Sequence, residues 1–290
     1  MTTAAEWVAG ARPRTLGAAV SPVLVGTAAA YADADTLTWW RAAAALIVAL
    51  GLQVGVNYAN DYSDGVRGTD TKRAGPVRLT ASGVAAPAAV RNAAAMAFGV
   101  AAVFGLALAI AVDLRLLLIG AVAIAAAVLY TGGPRPYGYT GLGELAVLVF
   151  FGVVATAGSA YVQAERVPAS AWWGAVAVGL LACAILLANN IRDVDTDRAV
   201  GKRTLPVLVG ASTARALYAG CIAGAFVAVV AVGVLFPTAL IALAALPLAA
   251  RPVRLVVTRH DPPSLVAALV ATARLELVVA VLLGLGLVTS

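Results

Sequence analysis

The chain alternates long apolar runs with short polar connections. Nine runs are long enough to be considered as membrane helices, since a helical span needs about 20 mostly apolar residues. They cover approximately residues 15–31, 38–59, 88–112, 114–131, 142–163, 170–191, 213–235, 238–257 and 265–288. Strand-type alternation is absent, and in lipid only helices or closed barrels satisfy the backbone. The pattern predicts an all-α integral membrane protein, a bundle of nine transmembrane helices forming a single domain over residues 1–290.

The composition supports a membrane location. The chain is 62% hydrophobic and 12% charged, whereas soluble domains carry about 25% charged residues. The net charge of +6 does not indicate nucleic acid, because topology distributes the bases of a membrane protein. The lipid bilayer is the expected partner. Cys183 and Cys221 fall within apolar runs, which is typical of small buried residues and not of a disulfide or metal pair.

The positions of the bases predict the orientation of the bundle. If the N-terminus is inside, 16 of the 20 Lys and Arg residues lie on inner segments or at the inner ends of spans. Cytoplasmic loops are enriched in these residues, so we expect a cytoplasmic N-terminus and an external C-terminus. The tryptophan pairs Trp39-Trp40 and Trp172-Trp173 then begin spans at the outer interface, where indole rings prefer to lie. The expected location is the cytoplasmic membrane.

Two polar stretches interrupt the apolar pattern, residues 57–73 and residues 189–204, hereafter the first and second acidic stretches. In each, an Asn is followed four residues later by an Asp, namely Asn57 and Asp61, and Asn189 and Asp193. Residues at this spacing share one helix face. Four spans separate the two stretches, which indicates parallel half-repeats of about residues 1–140 and 141–290. Both stretches should therefore face each other at the cytoplasmic mouth of the bundle.

The residue types in these stretches indicate an anion-binding metal site. Carboxylates at a membrane mouth are costly and usually functional. Oxygen ligands of this kind suit Mg²⁺, which typically takes one or two carboxylates together with substrate phosphates. Bases flank both stretches and occupy the inner loop between them: Lys72, Arg73, Arg78, Arg135, Lys202 and Arg203. Carboxylate-held Mg²⁺ beside a group of bases predicts a diphosphate site.

Other interpretations remain open at this point. Asp and Asn just beyond a helix are common caps and turn formers, although the second, matching stretch favours a site. Carboxylates in a membrane protein could also serve an ion-coupled transporter, but the neighbouring bases would repel a transported cation, and transporter sites usually lie near the bilayer midplane. Arg274 and Glu276 lie within the last run, where we expect them to pair with partners in the bundle.

The motifs Asn60-Asp61-Tyr62-Ser63-Asp64 and Asp193-Val194-Asp195-Thr196-Asp197 resemble those of the UbiA-type intramembrane prenyltransferases. The resemblance runs over nearly the whole chain. Within the family, four further stretches look most like the 1,4-dihydroxy-2-naphthoate prenyltransferases of menaquinone synthesis: residues 11–16 (ARPRTL), 75–79 (GPVRL), 130–133 (YTGG) and 136–139 (PYGY). Where many family members carry a third Asp, Gly68 stands here, and Asp70 follows two residues later.

The resemblance implies a central cavity, open to the cytoplasm and laterally to lipid, and Mg²⁺ as the cofactor. The implied metal ligands are Asn57, Asp61, Asp64, Asn189, Asp193 and Asp197. The implied diphosphate-binding bases are Lys72, Arg78, Arg135, Lys202 and Arg203. The implied catalytic residues are Asp61, Asp193 and Tyr130.

The reaction that the resemblance implies is prenyl transfer from a polyprenyl diphosphate to 1,4-dihydroxy-2-naphthoate, with loss of diphosphate and CO₂, giving demethylmenaquinone. Another aromatic acceptor, such as 4-hydroxybenzoate, is the alternative within the family. The sequence leaves open the length of the isoprenoid chain, the residues that bind the acceptor and the oligomeric state.

Overall fold

A computed structural model describes residues 2–69 and 78–290. These residues form helices and turns, with no strand among them. The α-helices in chain order are α1 Ala4–Gly10, α2 Gly17–Ala34, α3 Trp39–Arg67, α4 Pro87–Ala111, α5 Leu116–Thr131, α6 Gly143–Val147, α7 Ala155–Ala164, α8 Ala169–Arg192, α9 Val194–Ala199, α10 Leu205–Val209, α11 Ala211–Leu235, α12 Leu246–Thr258 and α13 Pro262–Val288. A π-helical segment, Leu148–Val154, joins α6 to α7. The 3₁₀ helices are Pro13–Thr15, Tyr137–Tyr139 and Pro237–Ala245.

Seven helices in the described part of the chain are long and apolar enough to cross a membrane, which confirms a helical, multi-pass membrane protein. They are α3, α4, Gly143–Ala164, α8, α11, Pro237–Thr258 and α13. An eighth results if Ala4–Thr15 and Gly17–Ala34, bent by 50°, form one broken span. Helix α5 is apolar but has only 16 residues, fewer than a typical span. The count of nine spans stays a prediction, since it requires both of these segments to cross.

The N-terminal segment packs onto α3 at the end that carries the first acidic stretch. Thr3 and Glu6 form a capping box at the start of α1. The Tyr58 hydroxyl donates to the Trp7 carbonyl at 2.8 Å and fixes α1 against α3. Between α1 and Pro13, Arg12 has a φ of 57°, a left-handed conformation that costs on the order of 1–3 kcal/mol for such a residue. The sharp turn delivers Arg12 to the site described below.

Helix α8 is the most buried of the long helices and forms the centre of the bundle. Small residues let its neighbours approach closely, as is typical of membrane helices. Gly179 of α8 meets Gly152 of the π-helical segment, and a Cβ on either glycine would lie 2.8 Å from the Cα of the other. The core around α8 is built from Ala, Val and Leu, with the hydroxyl of the buried Tyr218 hydrogen-bonded to Thr272 at 2.6 Å. Another face of α8 lines a large cavity together with α2, α3, α5 and α7.

Side-chain to backbone contacts tie the helices together at the end opposite the acidic stretches. Gln163, at the end of α7, accepts the N–H of Thr38 at 2.9 Å and donates to the carbonyl of Thr38 at 3.3 Å. Arg41 donates to the Val162 carbonyl at 3.0 Å. The Tyr161 hydroxyl donates to Asp113 at 2.7 Å. These contacts close this end of the bundle around the start of α3.

The polar residues of α13 do not pair as the sequence suggested. Glu276 is fully buried, and within the described residues neither of its carboxylate oxygens has a hydrogen-bond partner. Arg274 is exposed, because it lies two positions away and therefore on a different face of the helix. The expected pairing of Glu276 within the bundle is wrong for this part of the chain. The two cysteines are free thiols, as predicted, and Cys183 donates to the Glu144 carbonyl at 3.1 Å.

Candidate active site

The candidate site is a cavity of about 1140 Å³ that extends through the middle of the bundle. Its wall is mainly apolar, with Val48, Leu108 and Phe151 among the residues that line it. Polar side chains lie at the end where the acidic stretches meet. A second cavity of about 80 Å³ adjoins this polar end, because both cavities share the lining residues Arg12, Asn60, Arg78, Tyr130, Leu186 and Asn189.

Residues 57–67 of the first acidic stretch form the last turns of α3 and hold the backbone around them. Asp61 is buried and accepts the N–H groups of Leu79 and Thr80 at 2.9 and 2.8 Å. Asn57 donates through Nδ2 to the Ala11 carbonyl at 3.0 Å, which leaves its amide oxygen as an acceptor. Asn57 and Asp61 therefore position the chain on both sides of the cavity mouth.

Asp64 joins the two acidic stretches. One of its oxygens accepts from the Tyr139 hydroxyl at 2.6 Å, and the other accepts from Lys202 Nζ at 2.9 Å. Lys202 Nζ also lies 4.7 Å from the centre of the Tyr139 ring. Burial, reinforced by the charge of Asp64, raises the pKa of Tyr139 well above its usual value. The 2.9 Å ion pair joins Asp64 and Lys202, which are 138 positions apart, and so brings the two acidic stretches to one place, as the sequence predicted.

The second acidic stretch is arranged at a break between helices. Helix α8 ends at Arg192 and α9 begins at Val194, so Asp193 lies at the junction. The Arg192 guanidinium donates to Asp193 at 2.6 Å and to the Asn189 oxygen at 2.9 Å. Asp197, one turn later, accepts from the Thr204 hydroxyl at 3.3 Å. Most of these contacts are local, and they hold Arg192 beside the cavity that it lines.

The structure divides the residues that the sequence proposed. Five of them line the large cavity: Asn57, Arg78, Tyr130, Asn189 and, through the first motif, Asn60. Four of these five, Asn60, Arg78, Tyr130 and Asn189, also line the small cavity, and two line the small cavity alone: Asp64 and Lys202. Three are buried but line neither cavity: Asp61, Asp193 and Asp197. Two are exposed and line neither cavity: Arg135 and Arg203. Lys72 lies outside the described residues.

Four residues of the site were not singled out individually by sequence reasoning. Arg12 lines both cavities, and its position before Pro13 in the ARPRTL stretch was the available signal. Tyr139 lies in the quoted PYGY stretch, but only the fold shows that it contacts Asp64. Arg192 is adjacent to Asp193 in sequence and could have been noticed on that ground. Gln53 lines the large cavity one turn before Asn57, and its spacing was the signal.

The donor set at the polar end is suited to a hard cation. Among residues 2–69 and 78–290, no group of three or more Asp, Glu, His or Cys side chains is assembled for a metal ion. Mg²⁺ does not require such a group, since it is bound through one or two carboxylates together with substrate phosphates and waters. Asp64 and the amide oxygens of Asn57 and Asn189 are donors of the appropriate chemistry near the shared end of the cavities.

The fold and the site together define a helical membrane protein with an acidic and basic mouth above a long apolar cavity. A family model described as the UbiA prenyltransferase family matches residues 19–278. The chain therefore belongs to the UbiA prenyltransferase family.

Comparisons with individual proteins agree with this assignment. The chain is 50% identical over 254 residues to the 1,4-dihydroxy-2-naphthoate octaprenyltransferase of Mycobacterium tuberculosis, covering 87% of this chain and 86% of the relative. It is 40% identical over 235 residues to the enzyme of the same name from Escherichia coli, covering 76% and 74%. Its fold is similar to that of a UbiA homolog from Archaeoglobus fulgidus bound to GPP and Mg²⁺, with a TM-score of 0.65, 13% identity, and coverage of 98% and 100%.

Proposed function

We propose that the protein transfers a polyprenyl group from polyprenyl diphosphate to 1,4-dihydroxy-2-naphthoate, releasing diphosphate and CO₂ and giving demethylmenaquinol, the reduced form of demethylmenaquinone. The observation that carries the proposal is the 50% identity to a 1,4-dihydroxy-2-naphthoate octaprenyltransferase over most of both chains. The cavity supports it, because a basic mouth above an apolar interior of about 1140 Å³ suits an anionic head with a hydrocarbon tail.

In this proposal the diphosphate binds at the shared end of the two cavities. Lys202 and Arg78 neutralise its oxygens by charge-assisted hydrogen bonds, with Arg12 and Arg192 as further bases that line the cavity. Arg135, Arg203 and Lys72 also belong to the set proposed from the sequence, the first two acting through their charge alone because their side chains are exposed.

We assign Mg²⁺ binding to Asn57, Asp61, Asp64, Asn189, Asp193 and Asp197. The structures of relatives bound to GPP or DMAPP contain Mg²⁺, and the oxygen-rich donor set of this chain fits the same cation. When bound, Mg²⁺ supplies positive charge that stabilises the leaving diphosphate. Lys202 holds the Asp64 side chain in place by the 2.9 Å contact, and Asp61 keeps the backbone that precedes Thr80 at the mouth.

The apolar wall protects the developing allylic cation from water. Tyr130 lies at the junction of the two cavities, and its ring provides a π face that favours a nearby positive charge. The electron-rich naphthoate ring attacks the cation at the carbon that carries the carboxylate. The electron pair of the bond to CO₂ returns to the ring, which restores aromaticity.

The orientation completes the proposal. Nine spans, a cytoplasmic N-terminus and a cytoplasmic site are supported by the distribution of bases and of apolar runs, and the lateral opening to lipid is taken from the family resemblance. Cysteines introduced by Gly68→Cys and Ala199→Cys should react only with reagents that reach the cytoplasm, and Thr36→Cys only from outside. Labelling of the first two from opposite sides would contradict the orientation.

A competition between acceptors tests the function. Purified protein receives Mg²⁺, a polyprenyl diphosphate, 1,4-dihydroxy-2-naphthoate and 4-hydroxybenzoate, each acid carrying a labelled carboxyl carbon. We expect labelled CO₂ to be released in proportion to prenylated naphthoquinol, identified by mass. Prenylated 4-hydroxybenzoate with its label retained would instead show that the alternative acceptor is correct.

A further inference from the structure

Gln53 is a polar side chain in the cavity that the mechanism above does not use. It lies in α3 four residues before Asn57, about 6 Å farther from the mouth along the helix axis, and it lines the large cavity. The residue is only 7% exposed, and within the described residues its Oε1 has no hydrogen-bond partner. Buried polar groups are nearly always hydrogen-bonded, and a membrane interior offers no bulk water as a substitute.

The other amides of the cavity all have protein partners. Asn57 donates to the Ala11 carbonyl, Asn60 accepts from the Thr131 hydroxyl at 2.8 Å, and Asn189 accepts from Arg192. Gln163 provides a matched comparison, since it is also a buried glutamine of the bundle but lies outside the cavity, at the end of α7.

Gln163 uses both ends of its amide on the backbone of Thr38. Gln53 therefore differs from every other cavity amide of the described chain in having no such partner, and it faces the space where substrates bind.

We propose that Gln53 is a positioning residue that hydrogen-bonds a ring hydroxyl of the aromatic acceptor. The inference rests on the proposed function, which supplies a dihydroxylated acceptor. The isoprenoid chain is a hydrocarbon and offers no hydrogen bond. The diphosphate is an anion and binds at the bases of the mouth. An amide both donates and accepts, so it can bind a hydroxyl in either rotamer.

This contact would orient the acceptor for the reaction. A hydroxyl held at Gln53 lies about one helical turn below Asn57, so the ring occupies the level just beneath the diphosphate. The first carbon of the prenyl chain is bonded to the diphosphate and occupies the same level. The hydrogen bond at Gln53 therefore holds the ring beside the carbon that it attacks, which is the positioning that raises effective concentration.

The test compares Gln53→Leu with the matched variant Gln163→Leu in the full chain, reconstituted in lipid with Mg²⁺. We expect Q53L to raise the KM for 1,4-dihydroxy-2-naphthoate about 5- to 10-fold, the effect of one lost hydrogen bond. The KM for polyprenyl diphosphate should change less than about twofold, and the melting temperature should not fall, because Q53L removes an unpartnered polar group. Q163L should lower the melting temperature and leave both KM values unchanged. Gln53→Glu, which as a neutral acid keeps a donor and an acceptor, should restore most of the acceptor affinity.

Two analogues identify the group that Gln53 binds. Each of 1-hydroxy-2-naphthoate and 4-hydroxy-2-naphthoate lacks one hydroxyl, and each is measured as a competitive inhibitor of the wild type and of Q53L. We expect the wild type and Q53L to have equal inhibition constants for one analogue, because that analogue lacks the hydroxyl that contacts Gln53. The other analogue, which keeps that hydroxyl, should bind more weakly to Q53L. Equal weakening of both analogues in Q53L, or a rise only in the KM for polyprenyl diphosphate, would overturn the inference. If the wild type is active and Q53L has an unchanged KM for the acceptor, only the role of Gln53 is overturned. If the wild type is inactive on the naphthoate, the proposed function is overturned as well.

Discussion

The two acidic stretches have the same spacing of Asn and Asp but different structural surroundings. Residues 57–67 of the first lie on a continuous helix, α3, and Asp61 holds the backbone of Leu79 and Thr80, 18 and 19 positions away. The second lies across the break between α8 and α9, where Asp193 pairs with its neighbour Arg192. Within the described residues, Asp61 therefore holds distant backbone, whereas Asp193 contacts the adjacent Arg192.

The equal spacing of Asn and Asp in the two stretches therefore predicts that they lie at the same end of the bundle, but it does not predict that their side chains have the same role. Asp64 of the first stretch reaches Lys202 of the second, so the two are joined at one end of the bundle. Within that joint site, the first stretch has a structural role through Asp61 and, in the proposed function, a chemical role as well. Variants that separate these functions test the comparison directly.

The largest expected effects come from Asp61→Ala and Asp193→Ala. Each should lower the rate of prenyl transfer by at least ~10²-fold, or roughly 3 kcal/mol of transition-state stabilisation, because each removes a proposed Mg²⁺ ligand. Only D61A also releases the N–H groups of Leu79 and Thr80, so only D61A should increase tryptic cleavage after Arg78. The measurements are initial rates and limited proteolysis in lipid.

Asp195→Ala is the matched control, since Asp195 belongs to the second acidic stretch but its side chain is almost fully exposed. It should change the rate less than about twofold, as expected of a surface charge. Full activity of the wild type in excess chelator would contradict the role given to both carboxylates. Equal cleavage after Arg78 in D61A and D193A would remove the distinction between the two stretches.

The next effect concerns the ion pair that joins the stretches. Lys202→Met should lower the rate about tenfold and raise the KM for polyprenyl diphosphate, because it removes the charge-assisted hydrogen bond that we propose between Lys202 and the diphosphate. It also leaves Asp64 buried without its cation, so the melting temperature should fall. Adding Asp64→Asn should restore part of that stability, since the unpaired charge is then removed.

A double-mutant cycle measures the coupling between Lys202 and Asp64. Arg198→Met provides the control, because Arg198 is exposed and contacts Asp195 only at 3.8 Å. Additive losses of stability in K202M and D64N would show that the pair does not join the two stretches.

Much of the fold could be predicted from the sequence, because a bilayer imposes a direct relation between apolar run length and helix length. The helices α4, α8 and α11 match the predicted runs closely. The break at Arg12 and the π-helical segment Leu148–Val154 could not be predicted, since both depend on how neighbouring helices pack. The pairing of Glu276 was wrong for the same reason: the position of a residue along a helix does not tell which face the bundle buries.

The sequence predicted where the candidate site lies better than it predicted which side chains contact one another there. Residue types and spacing brought Asp64 and Lys202 to one end of the bundle, and the structure agrees. The exposure of Arg135 and Arg203 could not be predicted, because loop side chains adjacent in sequence point in different directions. The role of Tyr139 could not be predicted for a related reason. Whether a tyrosine in a turn belongs to a site depends on the side chain that it contacts in the fold, which here is Asp64.

A smaller effect is expected from Tyr139→Phe, which removes one of the two contacts of Asp64. The rate should fall about fivefold, the effect of one hydrogen bond of roughly 1 kcal/mol. The raised pKa of Tyr139 also predicts the direction in which stability changes with pH. Above pH 10, near the ordinary pKa of tyrosine, the unfolded chain loses its phenolic proton while the folded protein keeps it.

The stability contributed by Tyr139 should therefore be complete below pH 10 and decrease as the pH rises above that value. Melting temperatures of the wild type and Y139F, measured between pH 8 and 11, give the difference that isolates this contribution. A difference that stays constant over the whole range would contradict the buried contact with Asp64.

The smallest effects are expected from Arg135→Ala and Arg203→Ala, which test whether the mouth of the site reaches the exposed loops around both stretches. Each side chain is exposed and lines neither cavity, so its charge is screened by water and salt and is worth at most about 1 kcal/mol. We expect the KM for polyprenyl diphosphate to rise less than about threefold at low ionic strength and to return to the wild-type value in high salt. Arg78→Ala is the matched comparison, because Arg78 lines both cavities, and its rise of about tenfold should persist in salt as direct contact requires. If R135A or R203A raised the KM for polyprenyl diphosphate as much as R78A does, and the rise persisted in high salt, these loops would contact the bound diphosphate. The mouth of the site would then include more of the chain than α3 and the region around α9.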